Sequence, residues 1–164
     1  MRFFHQPNVN RRHGRRGFTL METAMAQVIV GVAIAAMCQL LTVGTQSNRA
    51  AGDLTTGVNL ANVIHELAVG LPFTDGGSPV IGTFHDIWDL NQTFTPPIDS
   101  RDIAISTYPN WSQQVTVQTV ALNQLTSVRP NDQTVPTARV TVIILHNNQQ
   151  VYQASWVVAA PDPS

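Results

Sequence analysis

Lysine is absent from this chain of 164 residues, and Cys38 is its only cysteine. A lone cysteine excludes an intrachain disulfide and any C-x-x-C redox or zinc pair. Arginine therefore carries all of the permanent positive charge, and five of the nine arginines, Arg2, Arg11, Arg12, Arg15 and Arg16, precede Gly17. From Phe18 onward four arginines face ten acids, a net charge of −6. That balance argues against generic nucleic-acid binding, because phosphate affinity comes mainly from Lys and Arg.

Catalytic signatures are missing as well. The sequence holds no G-x-S-x-G, no G-x-G-x-x-G and no P-loop, so no nucleophile elbow or phosphate cradle is indicated. His65-Glu66 opens like H-E-x-x-H, but Val69 stands where the second histidine is needed, and one ligand does not make a zinc site. His65 reads as a helix-edge residue against a sheet, and His85 and His146 as residues beside loops. Trp88, Trp111 and Trp156 read as core or sheet-face residues rather than a ligand platform. The expectation is a protein without an active site or cofactor.

What is present is one long apolar run. Over residues 24–41 only Gln27 and Gln39 interrupt it, and counting back to Phe18 gives 24 residues, enough to cross the ~30 Å hydrocarbon core of a bilayer. A single acid, Glu22, sits near its start. Carboxylates in such segments are costly and tend to mark function. The residues ahead of the run carry arginine and no acid, so the positive-inside rule keeps the N-terminus in the cytoplasm and sends the remainder across. A glycine at position 17 leaves the backbone open to a protease just ahead of a helix, and Glu22 favours the positive end of the helix dipole.

The run RRGFTLMET over residues 15–23 resembles the processing site of type IV prepilins and type II secretion pseudopilins. That resemblance implies cleavage between Gly17 and Phe18 by a membrane prepilin peptidase, and N-methylation of Phe18. It also implies a helix retained for polymerisation, in which Glu22 meets the free amine of Phe18 on a neighbouring subunit and sets the register. Sister subunits, an inner-membrane assembly platform and the lipid bilayer are the implied partners. Small residues at Gly31, Ala33 and Ala35 allow helices to approach closely. Many type IV pilins close a C-terminal disulfide loop, so a single cysteine points to a minor pilin or a pseudopilin. The rival reading is a twin-arginine-exported or membrane-anchored periplasmic binding domain that does not polymerise, although the glutamate and the lack of an A-x-A site weigh against the export signal. A lipid-anchored cysteine is disfavoured because Met37 precedes Cys38.

The rest of the chain falls into order behind that segment. Residues 1–17 read as a cleaved leader, 18–41 as a transmembrane and polymerisation helix, and 42–164 as a periplasmic domain. An apolar stripe through Leu54, Val58, Ala61, Ile64 or His65, and Ala68 extends the helix over 42–69, ~78 Å in all if unbroken from Phe18. Gly44, Gly52 and Gly57 weaken it, and Gly70, Leu71 and Pro72 stop it. Residues 70–102 form a variable, turn-rich segment. Within it Asp86, Asp89, Asp99 and Asp102 offer oxygens that suit calcium, but the spacing is not that of the EF-hand loop, and turn capping is the favoured role.

Alternating residues over 113–122, 139–146 and 150–159 predict long strands, with shorter ones at 80–84 and 103–108. Asn147, Asn148 and Gln149 make a hairpin between the last two, and the strand from Arg139 is apolar on both faces near its end, as a central strand is. A loop over 129–136 links the second and third long strands, and 161–164 is a tail. The expected fold is α+β and pilin-like: one long N-terminal helix packed on an antiparallel sheet of three to four strands, the sheet occupying 103–160.

Overall fold

A computed structural model of the chain describes residues 18–74, 77–121, 123–128 and 135–160. The leader expected over 1–17, most of the loop over 129–136 and the tail at 161–164 lie outside the described residues. The chain divides into two compact units, Met1–Gln46 and Ser47–Ser164.

Helix α1 spans Leu20–Gly70, 51 residues, within two positions of the expected ends. It continues through Gly44 and Gly52, beside which there is open space. Leu71 N–H donates to the Leu67 carbonyl at 3.0 Å, closing the last turn before Pro72. Within the second unit the helix buries Gly57, Leu60, Ala61, Ile64, Leu67 and Ala68. The three- and four-residue spacing of that set is one face of a helix. The expected stripe is therefore rotated: Ala61, Ile64 and Ala68 belong to it, but Leu54 is 48% exposed and Val58 only partly covered.

The helix packs on a five-stranded antiparallel sheet of order β1-β2-β4-β5, with β3 paired to β2. The strands are β1 (Thr93–Phe94), β2 (Trp111–Ala121), β3 (Gln124–Val128), β4 (Thr137–His146) and β5 (Gln149–Ala159). The three long strands are those read from the alternation. Strands β1 and β3 are additional, and β1 draws residues of the variable segment into the sheet. Of the two shorter expected strands only isolated bridges form, Ile81 to Phe84 and Ile98 to Ala104. Turns displace them: Gly82 has φ 57° and Asp102 φ 65°, left-handed backbone that ends extended pairing.

Alternation decides which face is buried. On β2, Trp111, Gln113, Val115, Val117 and Thr119 face inward, and on β4, Ala138, Val140, Val142 and Ile144 do so. Strand β4 lies between β2 and β5, the central position expected of it. Asn147 and Asn148, with φ 52° and 62°, make the two-residue turn into β5, the geometry that matches the twist of a hairpin.

At Gly57 the helix approaches the hairpin closely. A Cβ placed there would lie 3.0 Å from Tyr152 Cβ and 3.4 Å from Val151 Cγ1. Alanine is ~1 kcal/mol better than glycine inside a helix, yet a Cβ lodged against another Cβ overpacks a site whose neighbour cannot swing aside, at ~1–3 kcal/mol. Gly57→Ala is therefore expected to lower the melting temperature of the detergent-solubilised chain. Gly52→Ala, in open space, is expected to raise it through a gain of ~0.5–1 kcal/mol. Shifts of the same sign would remove the close approach as the reason for this glycine.

Candidate functional site: the N-terminal helix

The first helical turn is built from local chemistry. Phe18 and Thr19 precede α1. Thr19 Oγ1 accepts from Glu22 N–H at 3.3 Å, and the Thr19 carbonyl receives both Thr23 N–H, at 3.1 Å, and Thr23 Oγ1, at 3.3 Å. T-x-x-E is the pattern of a capping box, a signal present in the sequence that motif resemblance alone passed over. Glu22 thus stands in the first turn, where the helix dipole favours an anion. Its side chain is exposed, and among the described residues no hydrogen bond or ion pair engages the carboxylate. Gly17, the expected residue before the cut, lies outside the described residues; Phe18 is 78% exposed.

Beyond the cap, every side chain from Phe18 through Gln46 is exposed. Met21, Met25, Val28, Ile29, Val32, Ile34, Met37, Leu40 and Leu41 are all large, apolar and uncovered. Soluble monomers rarely leave more than a few hundred Å² of contiguous apolar surface open. The helix is long and apolar enough to cross a membrane, and its polar hydroxyls turn inward on its own backbone: Thr42 Oγ1 donates to the Cys38 carbonyl and Thr45 Oγ1 to the Thr42 carbonyl, each at 2.9 Å.

Helical geometry sorts the small residues into two sets. Gly31 and Ala35, four positions apart, share a face with Ala24, Val28, Cys38 and Thr42, in spacings that alternate four and three. Ala33 lies on the opposite side, about 200° round the axis from Gly31 at 3.6 residues per turn. The first face deepens at Ala24 into a hollow of about 290 Å³ walled by Met21, Met25, Val28 and Ile29.

The remaining sequence-predicted candidates serve turns or the core. Asp86, nearly buried, caps the 3₁₀ turn Ile87–Leu90 and accepts from Trp88 N–H at 2.8 Å and Asp89 N–H at 3.3 Å. Asp89 accepts from His85 N–H at 2.7 Å and lies 3.3 Å from His85 Nδ1. Asp99 accepts from the N–H groups of Arg101 and Ile103, each at 2.9 Å, and pairs with the Arg101 guanidinium at 3.0 Å. Asp102 accepts from Thr83 N–H at 3.0 Å and Thr83 Oγ1 at 2.6 Å. Three of the carboxylates thus have donors within their own turns, the usual work of aspartate there, and Asp102 takes its donors from a turn 19 residues earlier. Among the described residues no group of three or more His, Cys, Asp or Glu side chains is placed to hold a metal ion.

The tryptophans are dispersed. Trp88 packs edge-on to Phe73 and donates to its carbonyl at 2.9 Å. Trp111 stacks on His146 at 4.3 Å, and His146 Nδ1 lies 3.3 Å from Asp53 of α1. Trp156 meets His65 edge-on at 5.0 Å, which places that histidine at the helix edge against the sheet.

The aspartates make the fold sensitive to acid. Donation from His85 N–H is the main cause that holds Asp89 below the ordinary carboxylate range, and donation from Ile103 N–H does the same for Asp99. With folded values depressed, the unfolded chain takes up protons first, so their contribution is complete above about pH 4 and lost as pH falls through the folded values. Their contribution to the denaturant midpoint is expected to drop as pH falls below about 4. The double variant Asp89→Asn, Asp99→Asn is expected to flatten that drop; an unchanged profile would contradict it.

Comparison with protein-family models, with curated proteins and with solved structures returns no match.

Proposed function

We propose that this chain is a structural subunit of a type II secretion pseudopilus or a type IV pilus-like filament, a minor pilin or pseudopilin that acts by assembly rather than turnover. The observation that carries the reading is a glutamate without a partner among the described residues, in the capped first turn of a bare apolar helix, where it closes the G-F-T-L-x-E pattern behind a basic leader. A lipid-exposed carboxylate is expensive. It is tolerable before assembly because the interface is near the helix end, and it becomes useful when a cation meets it.

In this reading prepilin peptidase cuts between Gly17 and Phe18 on the cytoplasmic side and methylates the new amine. The span holds the chain in the inner membrane with the sheet domain outside the cytoplasm. An assembly platform then moves the helix from lipid into a bundle of sister helices. The face of Ala24, Gly31 and Ala35 permits close backbone approach there, while Glu22 and the neighbouring Phe18 amine set the axial register. A pair withdrawn from water specifies position better than it adds stability.

Intact mass of the membrane-derived protein tests this. The expected product begins at methylated Phe18. A product that keeps residues 2–16, or that lacks the apolar helix, would overturn the reading in favour of a membrane-anchored or twin-arginine-exported binding domain.

A further inference from the structure

The outward face of the sheet, opposite α1, presents an organised polar row. Thr116 of β2 pairs with Thr141 of β4, which pairs with Ser155 of β5, so three hydroxyls cross three strands in a line. Cross-strand hydroxyl pairs are ordinary sheet contacts, and Thr141 Oγ1 lies 3.1 Å from Ser155 Oγ. One row away, Gln118 pairs with Arg139; Gln153, opposite Ile143 on the next row, bounds the other side. Together these six residues line a shallow depression of about 440 Å³.

Arg139 is the unusual member. Among the described residues its guanidinium is steadied by neutral oxygens: Nη2 donates to Gln118 Oε1 at 3.1 Å and Nη1 to the Leu125 carbonyl at 3.5 Å. Nε is buried and has no hydrogen-bond partner. Guanidinium groups carry more donors than these two oxygens occupy, and no carboxylate lines the depression. By contrast Arg101 is neutralised by Asp99. Among the described residues no carboxylate pairs with this cation, and it lies beside hydroxyls, of which Thr141 and Ser155 share one hydrogen bond.

We propose that this face is an oxyanion-binding site, taking a phosphate or carboxylate group between the Arg139 guanidinium and the Thr116, Thr141 and Ser155 hydroxyls. Charge-assisted hydrogen bonds from a planar fork suit such a group. Neutral sugars fit less well, since stacking surfaces are missing: Tyr152 and Trp156 of β5 pack against the core instead. An extended nucleic acid is disfavoured by a single cation in a domain of net negative charge.

The test uses the full chain in maltoside micelles, titrated with inorganic phosphate and, separately, with acetate at constant ionic strength, following the Arg139 Nε–H resonance by NMR. A saturable shift with either anion is expected. Saturation by phosphate alone assigns a tetrahedral oxyanion, and by acetate alone a carboxylate. Arg139→Gln removes that resonance, so its binding is read from the Thr141 and Ser155 backbone amide resonances, whose saturable shift in the parent is expected to be lost. Thr141→Val, which keeps strand propensity and volume, is expected to weaken affinity about tenfold. Arg101→Gln, with its partner Asp99 elsewhere, is expected to change nothing. A linear shift shared by all arginine resonances, or equal affinity in Thr141→Val, would overturn the site; a melting curve of each variant separates lost binding from lost fold.

Discussion

Glu22→Ala is expected to abolish assembly of the mature chain with sister copies while leaving cleavage and membrane insertion intact, and Glu22→Gln is expected to fail equally. The pair of substitutions separates two roles that one residue can fill. As the third residue after the Thr19 cap, Glu22 suits a capping box, which glutamine serves as well as glutamate. As the partner of a buried amine it needs its charge, which glutamine lacks. Stranding one member of an ion pair away from water costs ~3–5 kcal/mol, two or more orders of magnitude per subunit contact, whereas losing a cap costs ~1 kcal/mol. Co-purification of differently tagged copies, with intact mass run in parallel, reads both steps. Normal assembly of Glu22→Gln would reduce the glutamate to a cap, and normal assembly of both variants would leave it no part in register.

The contrast between cap and partner also shows where the sequence is informative. The helix and its cap depend on neighbours three or four positions away, so α1 and the Thr19-to-Glu22 signal can be read from the chain directly. Alternation likewise placed β2, β4 and β5, and Asn147-Asn148 made their turn plain. Features set by distant chain were hidden. Strand β1 is only two residues, Thr93 and Phe94, and exists because Gln113 and Gln114 lie opposite. Gly57 read as a helix weakener and proved to be the contact with Tyr152 and Val151, which no local pattern announces. Helical spacing puts Leu54 in the apolar stripe, but it stands 48% exposed. At the N-terminal helix the exposed acid and apolar surface are legible in the chain itself.

Gln113 is the sharpest case of a role that only the fold reveals, and its replacement is expected to have the largest effect on stability. It is fully buried on the face shared with Val115 and Val117. Its Oε1 accepts from Ile98 N–H at 2.8 Å, and its Nε2 donates to the Leu60 carbonyl at 3.0 Å and the Ile98 carbonyl at 3.4 Å. One amide therefore ties β2, α1 and the loop beside β1. Gln113→Leu keeps the volume but strands a buried N–H, at ~1–3 kcal/mol; the Leu60 carbonyl retains its place in the helical ladder.

Gln113→Glu is expected to be worse at neutral pH, by ~3–5 kcal/mol, because a buried carboxylate would face two carbonyl oxygens with nothing to donate. Burial raises the folded pKa of the introduced carboxyl above its unfolded value of about 4.3. The folded state then holds the proton more tightly, so the variant's stability is greatest below that unfolded value and is lost as pH rises through the folded one. Protonated, the group regains a donor and an acceptor in the shape of the amide. Denaturant midpoints of Gln113→Glu should accordingly rise relative to the parent between pH 7 and 5, a range above the titration of Asp89 and Asp99. A pH-independent difference between the two proteins would contradict burial of the group at position 113 in the folded state.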